Sequence, residues 1–534
     1  MTRLPPPATA SAAPPARAAS PAEAGRSGST EQPREGLRRD VGPFASFAAG
    51  FSFVSILTTV FQLFGLGFGF GGAAFFWTWP AVFAGQLLVA LCFAELVGRY
   101  PISGAIFQWS SRLAGTGFGW FTGWIMVIGQ ILTVATAAIA MQTVLPAIWP
   151  GFQIIGGPGA DPDPTSATGA QNAVPLGLGV LALTTLINVV GVRLMAALNS
   201  AGVALEIVGV LALVGVLLFL PLRAPTVVLT TTGAAHGDYL PLWLASSLVA
   251  AYVLVGFDSA GELAEETRAP RHTTPRTILR ALTASGIGGL LLILGGLLAA
   301  PSLTNGRLGH EGLAWVLTER LGGAGARILL VTVAAAVFAC TLAVQAAGSR
   351  MLFSMAREDS VPFARRLRAI GRRTGTPVWS ALAIGVGAGV ALALSWNQRA
   401  VFTALASTAV ALIYLAYLGV TLPLLLQRFR RGRGGELDPG VDEQRKPLFS
   451  LGRLGIPVNA VAVLFQAGMV VNLIWPRAAV YDLTGHTWWL QWSALLLLAV
   501  VLLAGAAVHL RMRRRRGPIV LDELPTSAAA DRTD

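Results

Sequence analysis

The sequence predicts an all-α integral membrane protein of about twelve transmembrane helices, with both ends on the cytoplasmic side. Three observations carry this. Apolar residues are gathered in runs of membrane length, charged residues are scarce, and the basic ones fall on one side. Of 534 residues, 54% are hydrophobic and 12% charged, against about 25% charged in a soluble globular chain. The mean hydropathy of +0.64 agrees. Leu176 to Val190, Val203 to Leu220, Ala281 to Ala300, Ile328 to Ala347 and Leu495 to Leu510 are long apolar runs. A bilayer core about 30 Å thick needs roughly 20 such residues per helix. The runs do not alternate polar with apolar residues, as barrel strands do, so helices satisfy the backbone.

The spans are expected near 44–70, 74–98, 118–148, 175–191, 199–221, 240–263, 277–300, 326–349, 378–396, 400–427, 456–475 and 488–510. Residues 1–40, rich in Ala, Pro, Ser and Arg, read as a disordered cytoplasmic tail. No apolar stretch near the start suits a cleaved signal peptide. Residues 511–534 read as a basic, disordered tail. With both ends inside, the cytoplasmic segments hold 33 of the 39 Arg and Lys residues. The six left outside are Arg223, Arg307, Arg320, Arg327, Arg399 and Arg477. This is the bias of the positive-inside rule. The longest outer loop, Pro150 to Val174, carries Asp161 and Asp163 and no basic residue.

The net charge of +13 is thus assigned to orientation in the lipid bilayer, not to nucleic acid. Cys92 and Cys340 lie in apolar runs, and the five histidines are scattered. Neither a disulfide framework nor a metal site follows. The glycine-rich Gly65–Gly72 stretch lacks the Lys and Ser or Thr of a phosphate loop, and the one lysine, Lys446, precedes Pro447. No cofactor is expected.

Two spans look interrupted. Residues 250–280 read AAYVLVGFDSAGELAEETRAPRHTTPRTILR. Asp258 lies inside the sixth expected span, where a charge is costly and functional by default. Gly256 and Gly261 would let the helix open there. The plainer alternative is that Asp258 ends the span at an interface. Glu262, Glu265 and Glu266 are expected on a solvated cytoplasmic end beside Arg268 and Arg271. In the first span, Ser52, Ser55, Thr58 and Thr59 place hydroxyls in an apolar stretch. They can bend a helix, or merely pack small residues between helices. As a pair, the two interruptions head five-span blocks, which would be inverted repeats with a site between them. Glu206 lies in the fifth apolar run, where burial disfavours a charged carboxylate. It is either a proton carrier or a structural hydrogen-bonding group. Glu95 and Arg99, four apart, suit a local ion pair.

GFDSAGELAEETRAPRHTTPRTI resembles the sixth-helix signature of the amino acid–polyamine–organocation transporters. AELVGRYPISGAIFQWSSRLAG, INVVGVRLMAALNSAGVALEIVG, SRMLFSMAREDSVP and TGTPVWSAL resemble four further segments of that family. The wording resembles most the amino acid/choline permease branch, which includes GABA, choline and polyamine carriers. The resemblance implies two inverted five-helix repeats (residues 41–430) followed by two extra helices (431–510). It implies a substrate held where helices 1 and 6 unwind, so Ser55, Val253 and Gly256 enter the expected site. With Gly71 and Gly72 as anchor, Leu57, Thr58 and Thr59 fall on the family's Gly-Ser-Gly stretch, whose amides hold a substrate carboxylate. The glycines themselves are absent. Tyr252 falls at an aromatic gate, and Asp258 at an acidic position beyond the helix 6 break. Glu206 falls where some proton-coupled relatives carry lysine. The resemblance therefore implies a secondary carrier of amino acids or related amines, with H+ as a candidate coupling ion. The rivals are a choline, polyamine or GABA carrier, a membrane sensor that transports nothing, and an intramembrane enzyme. For the enzyme, no converging nucleophile and base are found.

Overall fold

A computed structural model describes residues 41–164, 166–396, 401–430, 446–478, 488–516, 519 and 521. The tail 1–40, most of the tail after 516 and the loop 431–445 lie outside them. Among the described residues the chain is helical and forms no strand; an isolated bridge joins Val41 to Thr267.

The order of helices follows the apolar runs. Span 1 is α1 (Pro43–Val54) and α2 (Ile56–Gly71); span 2 is α3 (Thr78–Arg99). The apolar stretch Pro43–Arg99 has 57 residues. As one helix it would be roughly 85 Å long, far more than a bilayer, so it holds two spans. A short helix α4 (Ala105–Ala114) precedes span 3, α5 (Thr116–Ile148). Spans 4 and 5 are α6 (Ala167–Val190) and α7 (Val192–Phe219). Span 6 comes in pieces: α8 (Tyr239–Ser246), α9 (Leu248–Val253) and α10 (Ser259–Glu262). Span 7 is α11 (Pro270–Ala299). Then α12 (Arg307–Arg357) is a 51-residue helix kinked at Gly312 and Gly322, both at positive φ. Its part beyond Gly322 is span 8. After the short α13 (Ala364–Leu367) come spans 9 and 10, α14 (Val378–Leu394) and α15 (Val401–Arg430). Span 11 is α16 (Gly455–Ile474), and the short α17 (Trp488–Gln491) leads to span 12, α18 (Ser493–Arg516).

The expected twelve spans are thus present as a multi-pass bundle, with shifted ends. Span 4 begins at Ala167, eight residues earlier than its apolar run suggests, because Ser166 caps it by accepting from the Gly169 amide at 2.9 Å. Span 12 runs six residues into the expected tail. Its extra turns are all arginine and methionine, good helix formers.

Packing repeats with an offset of five. Span 10 packs on span 3 as span 5 packs on span 8; span 4 on span 3 as span 9 on span 8; span 4 on span 8 as span 9 on span 3. Span 1 packs on span 5 as α9 of span 6 packs on span 10. An odd offset reverses direction through the membrane, so the two five-span blocks are inverted copies. The outside of the bundle is apolar. On α7, Leu205, Val208 and Leu211 are exposed while Val203, Glu206, Val210 and Leu213 face inward. An exposed apolar stripe, with the acid Glu206 on the buried side, is the reverse of a soluble helix, and it suits lipid.

Candidate functional site

Span 1 breaks at Ser55, whose φ of 28° and ψ of 92° end α1 and start α2. No glycine or proline forces this. The Ser55 amide still donates to Phe51 O at 2.9 Å, closing the first helix. Its carbonyl accepts the Thr59 amide at 3.2 Å and the Thr59 hydroxyl at 2.8 Å, opening the second. The first turn of a helix leaves amides without partners and carries a positive end-charge. A carboxylate from α7 fills that place. Glu206 Oε1 accepts the Leu57 amide at 3.2 Å and the Ser55 hydroxyl at 2.9 Å. The Ser55 and Thr58 hydroxyls bond to each other at 2.7 Å. The Cys340 thiol, from span 8, donates to Phe53 O at 3.6 Å. Ser55, Leu57, Thr58, Thr59 and Glu206 therefore meet in one buried place. Of the two roles open to Glu206, the hydrogen bond to a neighbouring helix is present, and that neighbour is the break itself.

Span 6 breaks after Val253. Gly256 has φ +90°, a left-handed conformation that favours glycine. A β-carbon there would lie 1.7 Å from the ring of Phe53. The Gly256 amide donates to the Tyr417 hydroxyl at 2.9 Å. That hydroxyl in turn donates to Asp258 Oδ1 in a short bond. The Ser259 hydroxyl donates to Ala49 O at 3.2 Å. The two breaks are thus in contact through Phe53 and Ala49, and the second is tied to span 10 by Tyr417. Asp258 does not end the span at an interface: it is fully buried. Val253 is buried on α9, and Tyr252, nearly buried, sets its hydroxyl beside Thr136 of span 3.

Tyr417 gives no sign in the sequence. It lies in ALIYLAYLGV, an apolar run with a second tyrosine three residues earlier. Only the pairing of spans 6 and 10 distinguishes the two.

The three glutamates after the break correct the sequence reading. They do not lie on a solvated end beside Arg268 and Arg271. Glu262 and Glu266 are buried. Arg350 of span 8 donates to Glu266 through Nε at 2.9 Å, with both side chains 1% exposed. Arg357 donates to both oxygens of Glu265 at 3.0 Å. The Ser103 hydroxyl donates to Glu262 O at 2.8 Å, and the Val41 amide to Glu266 O at 2.9 Å. Glu266 and Glu265 can lie away from water because their partner arginines come from another span, 84 and 92 residues further on. The Glu95–Arg99 pair is present at 3.3 Å. Glu95 also accepts a short bond from buried Arg428 and one from the Ser450 hydroxyl at 3.2 Å.

Comparison with known proteins agrees with this architecture. The family model described as amino acid permease matches residues 41–502. The chain is 27% identical over 491 residues to the amino-acid permease BAT1 of Arabidopsis thaliana, covering 85% of this chain and 88% of that one. It is 26% identical over 376 residues to the branched-chain amino acid permease BcaP of Lactococcus lactis, covering 68% and 76%. It is 23% identical over 463 residues to the GABA-specific permease of Saccharomyces cerevisiae, covering 83% and 77%.

Proposed function

Because the chain belongs to the amino acid permease family and is a membrane transporter, not an enzyme, we propose that it is a secondary carrier for amino acids or related amines, with its solute held between the two broken helices. The observation that carries this is the pair of breaks at Ser55 and Leu254–Asp258, each with a buried acid at its mouth. Irregular backbone is tolerated at membrane depth where it serves a cavity or a ligand. Ser55, Leu57, Thr58 and Thr59 form one side of the site; Val253, Gly256 and Asp258 form the other. Tyr252 closes over the solute, and rocking of the first two spans of each repeat against the rest alternates access. Residues 41–430 are the transport core, with 431–510 as two added helices and 1–40 and 511–534 as tails. The protein sits in the cytoplasmic membrane with both tails inside.

Glu206 is the candidate for proton coupling, since it is an acid on span 5 bonded directly to the moving break in span 1. Purified protein in liposomes should take up a labelled amino acid or amine saturably, and faster under an inward proton gradient. Glu206→Gln should still take up solute but lose that acceleration. If a broad panel gives no saturable uptake with or without pH and sodium gradients, the carrier reading is wrong; binding without uptake would favour a sensor.

A further inference from the structure

Resting on the carrier reading above, we infer that the solute is an organic cation without a carboxylate, whose ammonium is met by Glu206 at one break and Asp258 at the other. A solute carboxylate needs donors at the start of α2, where a helix end attracts anions. Two of the donors there are taken. The Leu57 amide and the Ser55 hydroxyl both point at Glu206 Oε1. The chain therefore supplies its own carboxylate to that place.

What is left over is acceptor capacity. Glu206 is fully buried, and its Oε2 has no hydrogen-bond partner. Asp258 is fully buried, and its Oδ2 has none either. Glu262, buried one turn beyond, adds a third carboxyl. Among the described residues the buried arginines are Arg350 and Arg428, and each is already held by another acid, Glu266 and Glu95. Neither of these cations answers Glu206 or Asp258.

A buried charge is strongly unfavourable unless paired or neutralised. An ammonium brings three donors, which the two free oxygens lack. A carboxylate beside either acid would meet a like charge, and neither buried arginine among the described residues is placed to offset it. The unpaired carboxyl oxygens at the two breaks thus select the same sign.

The test uses matched solutes that differ by a carboxylate: agmatine with arginine, cadaverine with lysine, and 3-methylbutylamine with leucine. Each is offered, radiolabelled, to the full chain in liposomes. The amine of each pair should half-saturate at a concentration at least about tenfold lower than its amino acid. Glu206→Gln, checked for folding by thermal unfolding, should narrow that preference by about tenfold. Saturable uptake in which the amino acids match or beat their amines overturns the inference and leaves the carrier reading intact. The wild-type comparison alone decides the matter if the variant does not fold. Absence of saturable uptake or binding for all six solutes removes the carrier reading and this inference with it.

Discussion

Gly256 is held at φ +90° with the ring of Phe53 where its own side chain would be. Two penalties follow for any larger residue: backbone strain of about 1–3 kcal/mol, and displacement of a buried phenylalanine. Gly256→Ala should therefore lower the thermal unfolding midpoint of the detergent-purified protein clearly, and reduce uptake even in the folded fraction. A variant that melts like the wild type would show that the helix 6 opening does not depend on this residue. Gly256 and Asp258 are legible in the sequence because a glycine and an acid are conspicuous inside an apolar run. Tyr417 is not, since its hydroxyl has meaning only beside Asp258, 159 residues away in the chain. The same distance effect hides the partner of Glu206. Its burial can be read from the run around it, but not that its oxygen settles on the amide of Leu57.

At the scale of elements, the end of span 6 is fastened to span 8. Glu266 and Arg350 are both buried, and the Val41 amide completes the join from the start of span 1. Removing one member of a dry ion pair leaves the other charge alone, at about 3–5 kcal/mol, whereas replacing both by apolar groups is nearly neutral. Glu266→Gln should thus destabilise the protein strongly, and the double variant Glu266→Leu with Arg350→Met should recover most of the loss, as read by thermal unfolding. If the double variant is no more stable than the single one, the pair is not the unit that matters. The local sequence places these glutamates in water because arginines stand nearby at 268 and 271. Long-range pairing wins because Arg350 and Arg357 reach the same glutamates from a packed helix. The spans themselves, by contrast, are legible throughout, since length and hydropathy alone qualify a membrane helix. Their ends are less so: caps and kinks such as Ser166 and Gly322 are settled by hydrogen bonds and neighbouring chain.

For the whole molecule, the proposed orientation, with both ends inside, rests on 33 basic residues against six. The native cysteines are both buried, so an introduced surface cysteine can be probed selectively. In intact cells Thr304→Cys, in the exposed loop before α12, should react with a membrane-impermeant maleimide. Arg372→Cys, in the exposed loop before α14, should react only after permeabilisation. The opposite pattern would invert the protein in the membrane. The fold makes a further demand at this scale. Because the blocks pack as inverted copies, contacts that join span 1 to span 5 have counterparts joining span 6 to span 10. A motion that loosens one set on one side has an equivalent on the other.

Ser55 gives the first break a character that the second lacks. At the second break Gly256 takes the left-handed conformation at little cost. Between Ile56 and Thr59 there is neither glycine nor proline, so nothing in the covalent chain prevents α1 and α2 from joining into one continuous rod. The gap is kept by a guest, the carboxylate of Glu206, and is therefore reversible. In Glu206→Ala the Leu57 amide loses its partner and can turn back to Phe53 O, the carbonyl that the Cys340 thiol now occupies. Amide exchange over Ile56–Thr59 should then slow as the rod heals; exchange that quickens instead would mean the gap is built into the backbone. On this view span 1 is a hinge whose pin is an ionisable side chain on another helix, and whatever neutralises or draws off that side chain also straightens the hinge.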